Sequence, residues 1–219
     1  MTIYIINPNS SQHVTDGISQ AVEPMRADCA VAIEARTLPE GPPGIESQAD
    51  IDGVVSPMLA HCAAIEDHAS AFVIACFSDP GLAALRAQSA RPVVGIAEAG
   101  ILTAMTLGQR FGIISILTKS IPRHRRYVGA MGVMERMAGD QALELGVLEL
   151  ADHDRAFARL KTVGENLRDK AQSDVIVLGC SGMTAFRKDL QGHLDLPVID
   201  PCQAATAMAI GRVALNQTS

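Results

Sequence analysis

A chain of 219 residues with 48% apolar side chains can bury a sizeable core as one large domain or two small ones. Its formal charge of −6 and 3% aromatic content supply neither the positive field nor the stacking platforms of a nucleic-acid binder, so no nucleic-acid partner is expected. The longest greasy region, 99–117, is broken by Gln109 and Arg110, and MTIYIINPNSS carries no basic leader, so the reading is a cytoplasmic protein with no membrane association.

Short β-branched runs recur at 3–6, 31–35, 72–75, 93–96, 112–116, 145–148, 175–178 and 198–199, eight strands in all. The first is followed by the polar turn NPNS, residues 7–10. After the second comes LPEGPPG, residues 38–44, which is read as a loop at a cleft because too little chain precedes it for a domain linker. Residues 54–68 have helical periodicity and lead into 72–75, which ends at Cys76. There FSDPG offers Ser78 or Asp79 as a helix cap with Pro80 at the first helical position. Strand 93–96 follows, then 112–116 with the turn LTKS, and the basic run RHRR at 123–126, read as a solvated helix turn. Helical periodicity returns at 155–171 before strand 175–178, which ends at Cys180 and the turn SGMT, whose Gly182 allows close backbone approach to a ligand.

Strands alternating with helices predict an α/β protein built from βαβ units. The order of events also repeats: Cys76 stands 16 positions before Pro92, and Cys180 stands 17 before Pro197. This spacing predicts an internal duplication. The architecture expected is two pseudosymmetric four-stranded parallel-sheet lobes of flavodoxin-like order, residues 1–98 and 99–202, with the active site in the cleft between them.

Ligands of open parallel sheets bind beyond the carboxyl ends of the strands, and both cysteines stand there. The five cysteines (29, 62, 76, 180 and 202) are odd in number and unpaired in pattern, so free thiols are expected. A thiol at a helix N-terminus is expected to have its pKa drawn below the free value of roughly 8.5, giving a base near neutral pH. Two such groups facing one ligand from opposite sides suit racemisation: one removes a proton from a carbon acid and the other delivers one to the opposite face. Cys29, Cys62 and Cys202 are read as structural. His61, Cys62 and His68 share a helix without the convergence that a metal site needs, and nucleotide-binding glycine motifs are absent, so neither metal nor cofactor is expected.

NPNSS after the first strand, GPPGIES at 41–47, CFSDPGL at Cys76 and LGCSGM at 178–183 together resemble the aspartate/glutamate/hydantoin racemase superfamily, most closely its hydantoin racemase branch, over nearly the whole chain. That resemblance implies a cofactor-independent two-cysteine racemase acting on a small molecule, with a final helix, about 203–219, packing back onto the first lobe, and assembly into a homo-oligomer. Carried over residue by residue, it implies Cys76 and Cys180 as the acid/base pair, and Asn9 and Ser10 lining the pocket. It also implies substrate contacts from Phe77, Ser78, Thr118, Ser181 and Gly182. The Asn-Thr and Thr-His pairs that follow the two cysteines of glutamate racemases are missing, and an arylmalonate decarboxylase would lack Cys76. A 5-substituted hydantoin or allantoin is therefore the favoured substrate. An aspartate/glutamate-type racemase, a small-diacid isomerase or decarboxylase, and a non-catalytic binding protein stand as alternatives.

Overall fold

The computed structural model describes residues 1–27 and 29–216. Strand β1 (Thr2–Asn7) is buried at every position from residue 3 on, as a central strand must be when its sheet is covered on both faces. It pairs in parallel with β2 (Ala32–Thr37) and β3 (Ala69–Ile74), and β3 pairs in parallel with β4 (Val93–Gly95). The second sheet repeats the pattern: β5 (Phe111–Ser115) lies between β6 (Met137–Ala142) and β7 (Val175–Leu178), with β8 (Val198–Ile199) beyond β7. The two orders, β2-β1-β3-β4 and β6-β5-β7-β8, are the same, so the expected pair of four-stranded parallel sheets is present.

One strand is displaced from its expected place. Residues 145–148 form no strand, and Leu148 opens a 3-10 turn, Leu148–Ala151. The sixth strand is instead MAGDQA, half-buried throughout at a sheet edge, where no β-branched run is needed. Leu143, Leu145 and Val147 are apolar for another reason: they belong to a buried loop packed into the main core.

Among the described residues ten α-helices connect and cover the strands: α1 (Gln12–Ala21), α2 (Glu23–Arg26), α3 (Gln48–Gly53), α4 (Val55–Ile65), α5 (Leu82–Gln88), α6 (Ile96–Leu107), α7 (Ile121–Ala130), α8 (His153–Asp169), α9 (Arg187–Leu194) and α10 (Pro201–Ala214). The starts follow from local chemistry. Ser11, rather than Asn9 or Ser10, caps α1. Ser47 and Asp50 form a reciprocal capping box on α3. Asp200 accepts from the N–H groups of Cys202 at 2.8 Å and Gln203 at 3.4 Å, which with Pro201 starts α10 two residues before the expected position. Residues 217–219 of that expected helix lie outside the described residues. Helix α10 packs on β1, β3, β4 and α6, and one continuous apolar core runs from the first sheet through α6 and α10 into the second.

The helix expected to open at Pro80 also differs. Helix α5 begins at Leu82, preceded by Gly81 at φ 67° with no side-chain cap. Asp79 turns the chain at φ 43° and caps a different helix: its carboxylate accepts from Ala97 N–H and Glu98 N–H, both at 2.9 Å, at the start of α6. Residue 95 must be glycine for this, because a Cβ there would lie 2.2 Å from the Asp79 carboxylate carbon. The Tyr127 hydroxyl on α7 donates to the same carboxylate at 2.6 Å, tying the turn beyond β3 to the helix beyond β5. Among the described residues no helix is long and apolar enough to cross a membrane.

Candidate active site

Cys76 and Cys180 each lie two residues past the end of a central strand, β3 and β7 respectively, and both wall one small cavity. The first sheet contributes Asn9, Ile45 and residues 75–78; the second contributes Ile116, Ser120, Arg123, His124, Val147 and residues 179–181. The cavity has about 30 Å³ of room, enough for one or two waters. Ile45 and Val147 line it from the two halves, and Glu46 links them: its Oε1 accepts from Val147 N–H at 3.0 Å, and its Oε2 lies 3.4 Å from Lys119 Nζ.

The turn at Cys76 is held by its own backbone, with Ser78 N–H and Asp79 N–H both donating to the Cys76 carbonyl, at 2.8 and 2.9 Å. Cys180 precedes a 3-10 segment, Ser181–Phe186, and accepts a hydrogen bond on Sγ from Gly182 N–H at 3.4 Å. These placements reverse the expected thiol electrostatics. Burial pushes the Cys76 thiol far above its ordinary range, aided by the nearby Cys180 and Asp79; the Ser78 N–H and Arg123 pull it back only in part. Burial likewise pushes Cys180 up to about 11 against the Gly182 N–H. Helix N-termini do not prevail, because the helix after Cys76 starts only at Leu82 and the one after Cys180 is a short 3-10 segment. Each thiol therefore favours its neutral form.

Of the residues expected to contact substrate, Asn9, Phe77, Ser78 and Ser181 wall this cavity with the cysteines, whereas Ser10, Thr118 and Gly182 do not. Asn9 is set by Asn7, whose Nδ2 donates to Asn9 Oδ1 at 2.9 Å; Ser11 N–H donates to the same oxygen at 2.9 Å. Thr118 is exposed, with its hydroxyl on Glu144, and Ser120 takes the inward position two residues later. Gly182 lines a separate groove beside α1.

The basic run at 123–126 is split by its helix. Arg125 and Arg126 are exposed, while Arg123 and His124 reach the cavity. Arg123 is clamped by donation to Lys119 O at 2.9 Å, Ser120 Oγ at 3.1 Å and Glu46 O at 3.3 Å, and its buried Nε has no hydrogen-bond partner among the described residues. His124 Nδ1 lies 2.9 Å from Asp140 Oδ2 on β6 and 3.0 Å from Ser115 Oγ on β5, and the Ser115 hydroxyl donates to the other Asp140 oxygen. The one trace of this in the sequence is the four-residue step from Ser120 through His124 to Val128, all buried and on one helical face. A second chamber of about 250 Å³, walled by Ile51, Ala97, Ile101 and Tyr127, shares Phe77, Ser78, Arg123 and His124 with the first. Among the described residues no cluster of His, Cys, Asp or Glu is arranged to hold a metal ion.

Known proteins match the chain along nearly its whole length. The profile of the Asp/Glu/hydantoin racemase family matches residues 3–209. A hydantoin racemase of Paenarthrobacter aurescens is 37% identical over 225 residues, covering 100% of this chain and 94% of its own length. That of Rhizobium meliloti is 36% identical over 213 residues, covering 95% and 87%. Among solved structures, the allantoin racemase of Klebsiella pneumoniae superposes with a TM-score of 0.95 at 33% identity, covering 100% of this chain and 89% of its own.

Proposed function

The chain belongs to the Asp/Glu/hydantoin racemase family, and from that premise we propose that it racemises a hydantoin-type ring, a 5-substituted hydantoin or allantoin, without a cofactor and with Cys76 and Cys180 as the two bases. The observation that carries this reading is the pair of thiols on the walls of one cavity, at equivalent strand ends of two sheets with the same order.

The electrostatics suit such a mechanism. Charge on Cys180 disfavours ionisation of Cys76, so the pair carries at most one negative charge, one thiolate with one thiol. The thiolate takes the hydrogen from the ring carbon, the charge moves onto the adjoining carbonyl, and the opposite thiol protonates the other face. Asn9, Ser78, Ser181 and Arg123 on the cavity wall are assigned the binding of the ring and of the developing oxyanion, each good donor contributing about 3 kcal/mol. With about 30 Å³ of room, the cavity must widen to admit the ring, and the 250 Å³ chamber sharing Phe77, Ser78, Arg123 and His124 adjoins it. The relatives named for hydantoin and for allantoin support the substrate class.

Single enantiomers of 5-substituted hydantoins, allantoin, aspartate and glutamate, followed by polarimetry in deuterium oxide without added cofactor, test the reading. Loss of rotation with deuterium uptake at the ring carbon is expected for a hydantoin or allantoin. Cys76→Ala and Cys180→Ala should each fall below about 1% of the wild-type rate. Wild-type racemisation in either variant overturns the two-base mechanism.

A further inference from the structure

The mechanism above requires that one thiol lose a proton, yet burial favours the neutral form of both. A third proton-handling group stands on the same wall. The His124 side chain is 5% exposed and that of its partner Asp140 is 1% exposed. Because Ser115 donates to Asp140, the carboxylate is the acceptor for the ring, and Nδ1 carries the hydrogen in the 2.9 Å contact. The Nδ1 edge faces β5 and β6. The opposite edge, bearing Nε2, points away from those strands; His124 lines both the cysteine cavity and the larger chamber beside it, and Nε2 makes no hydrogen bond among the described residues. The ring is also fixed edge-on against Phe77, the neighbour of Cys76, with centroids 5.2 Å apart and planes at 82°.

Resting on the two-cysteine reading, we propose that His124 is the base that takes the proton one cysteine must lose, with Asp140 and Ser115 as its positioning residues. The S–H bond breaks and an Nε2–H bond forms, leaving a thiolate and an imidazolium whose charge is met by the Asp140 carboxylate. The cavity holds only one or two waters, so the transfer is direct or runs through a single bridging water. The substrate hydrogen then passes to the thiolate and the opposite thiol gives up its own, so the two sulfurs share one proton through every turnover while His124 keeps the other. The roles of the sulfurs swap with each inversion, and the imidazolium serves both directions. The charged and titratable groups around the ring are Asp140 from β6, Arg123 from α7, Cys76 beyond β3 and Cys180 beyond β7; Asp79 stands one step away through Tyr127.

The test reads thiolate character without reference to turnover. Iodoacetamide alkylation of Cys76 and Cys180, resolved by peptide mass spectrometry, is followed from pH 5 to 10 in wild type, His124→Gln and Asp140→Asn. Wild type should react as a thiolate by pH 7. His124→Gln should react about 100-fold more slowly at pH 7, its rate climbing about tenfold per pH unit beyond pH 9, with racemisation following the same profile. An unchanged alkylation profile overturns the proposal, whether or not racemisation falls. Imidazole NMR of the wild type gives a second measure independent of any variant's folding: His124 should be an imidazolium wherever the thiols alkylate as thiolates, and a neutral ring there overturns the proposal. Failure of the two-cysteine reading shows separately, as racemisation by Cys76→Ala or Cys180→Ala.

Discussion

Replacing Tyr127 with Phe removes the hydroxyl that donates to Asp79 Oδ2 at 2.6 Å and preserves the ring. Asp79 is 5% exposed, and burial pushes its carboxyl from 3.8 up to about 6, with the Tyr127 hydroxyl and the N–H groups of Glu98 and Ala97 pulling it down. The folded protein thus holds this proton to higher pH than the unfolded chain does. Stability from this group is full below about pH 4 and falls as pH rises through about 6, by about 3 kcal/mol at 1.36 kcal/mol per pH unit. Without the hydroxyl, the ionised carboxylate loses a charge-assisted hydrogen bond of about 1.5–3 kcal/mol. Its pKa climbs a further one to two units, and the falling limb extends to about pH 7–8. Urea unfolding of both proteins at pH 4.5, 6, 7 and 8 should show a deficit of about 0.5–1 kcal/mol at the acid end, widening to about 1.5–3 kcal/mol at pH 8. A deficit that does not change with pH refutes the linkage and the assignment of Asp79 as a buried cap between the two halves.

Gly95→Ala places a Cβ 2.2 Å from the Asp79 carboxylate carbon and should destabilise by about 1–3 kcal/mol in thermal melts while lowering activity through the Cys76 turn. Gly17→Ala, in α1 with nothing within 4 Å of the new methyl, should stabilise by about 0.5–1 kcal/mol in the same assay. Glu46→Ala removes the bond to Val147 N–H and the contact with Lys119, so urea unfolding should show a loss of about 0.5–1.5 kcal/mol, and Glu46→Gln should recover part of it through Val147. Cys202→Ser buries a hydroxyl at a fully buried position and should cost about 1–3 kcal/mol in melts, with racemisation retained at 25 °C; loss of racemisation in a folded Cys202→Ser protein contradicts its structural role.

The central strands were readable because burial on both faces writes apolar runs such as TIYIIN and VIVL directly into the chain. The edge strand MAGDQA was not, since a half-buried edge imposes no such pattern, while the apolar 143–147 loop imitated a strand by packing into the core. Cys76 and Cys180 were found by their place two residues past duplicated strands, a local regularity that survives in one dimension. Arg123 and His124 are not legible in the sequence, because RHRR is a charge run until a helix sends two of its members inward and two outward.

The sequence alone determined the alternation of strand and helix, the duplicated strand ends and the two cysteines upon them, because each of these is set by neighbours within a few positions. Only the tertiary structure decided that Asp79 caps α6 rather than its own helix, that Ser120 rather than Thr118 walls the cavity, that His124 answers to Asp140, and that the thiols rise rather than fall. Each depends on groups brought together from distant parts of the chain, and on the removal of water that follows; no local pattern records either.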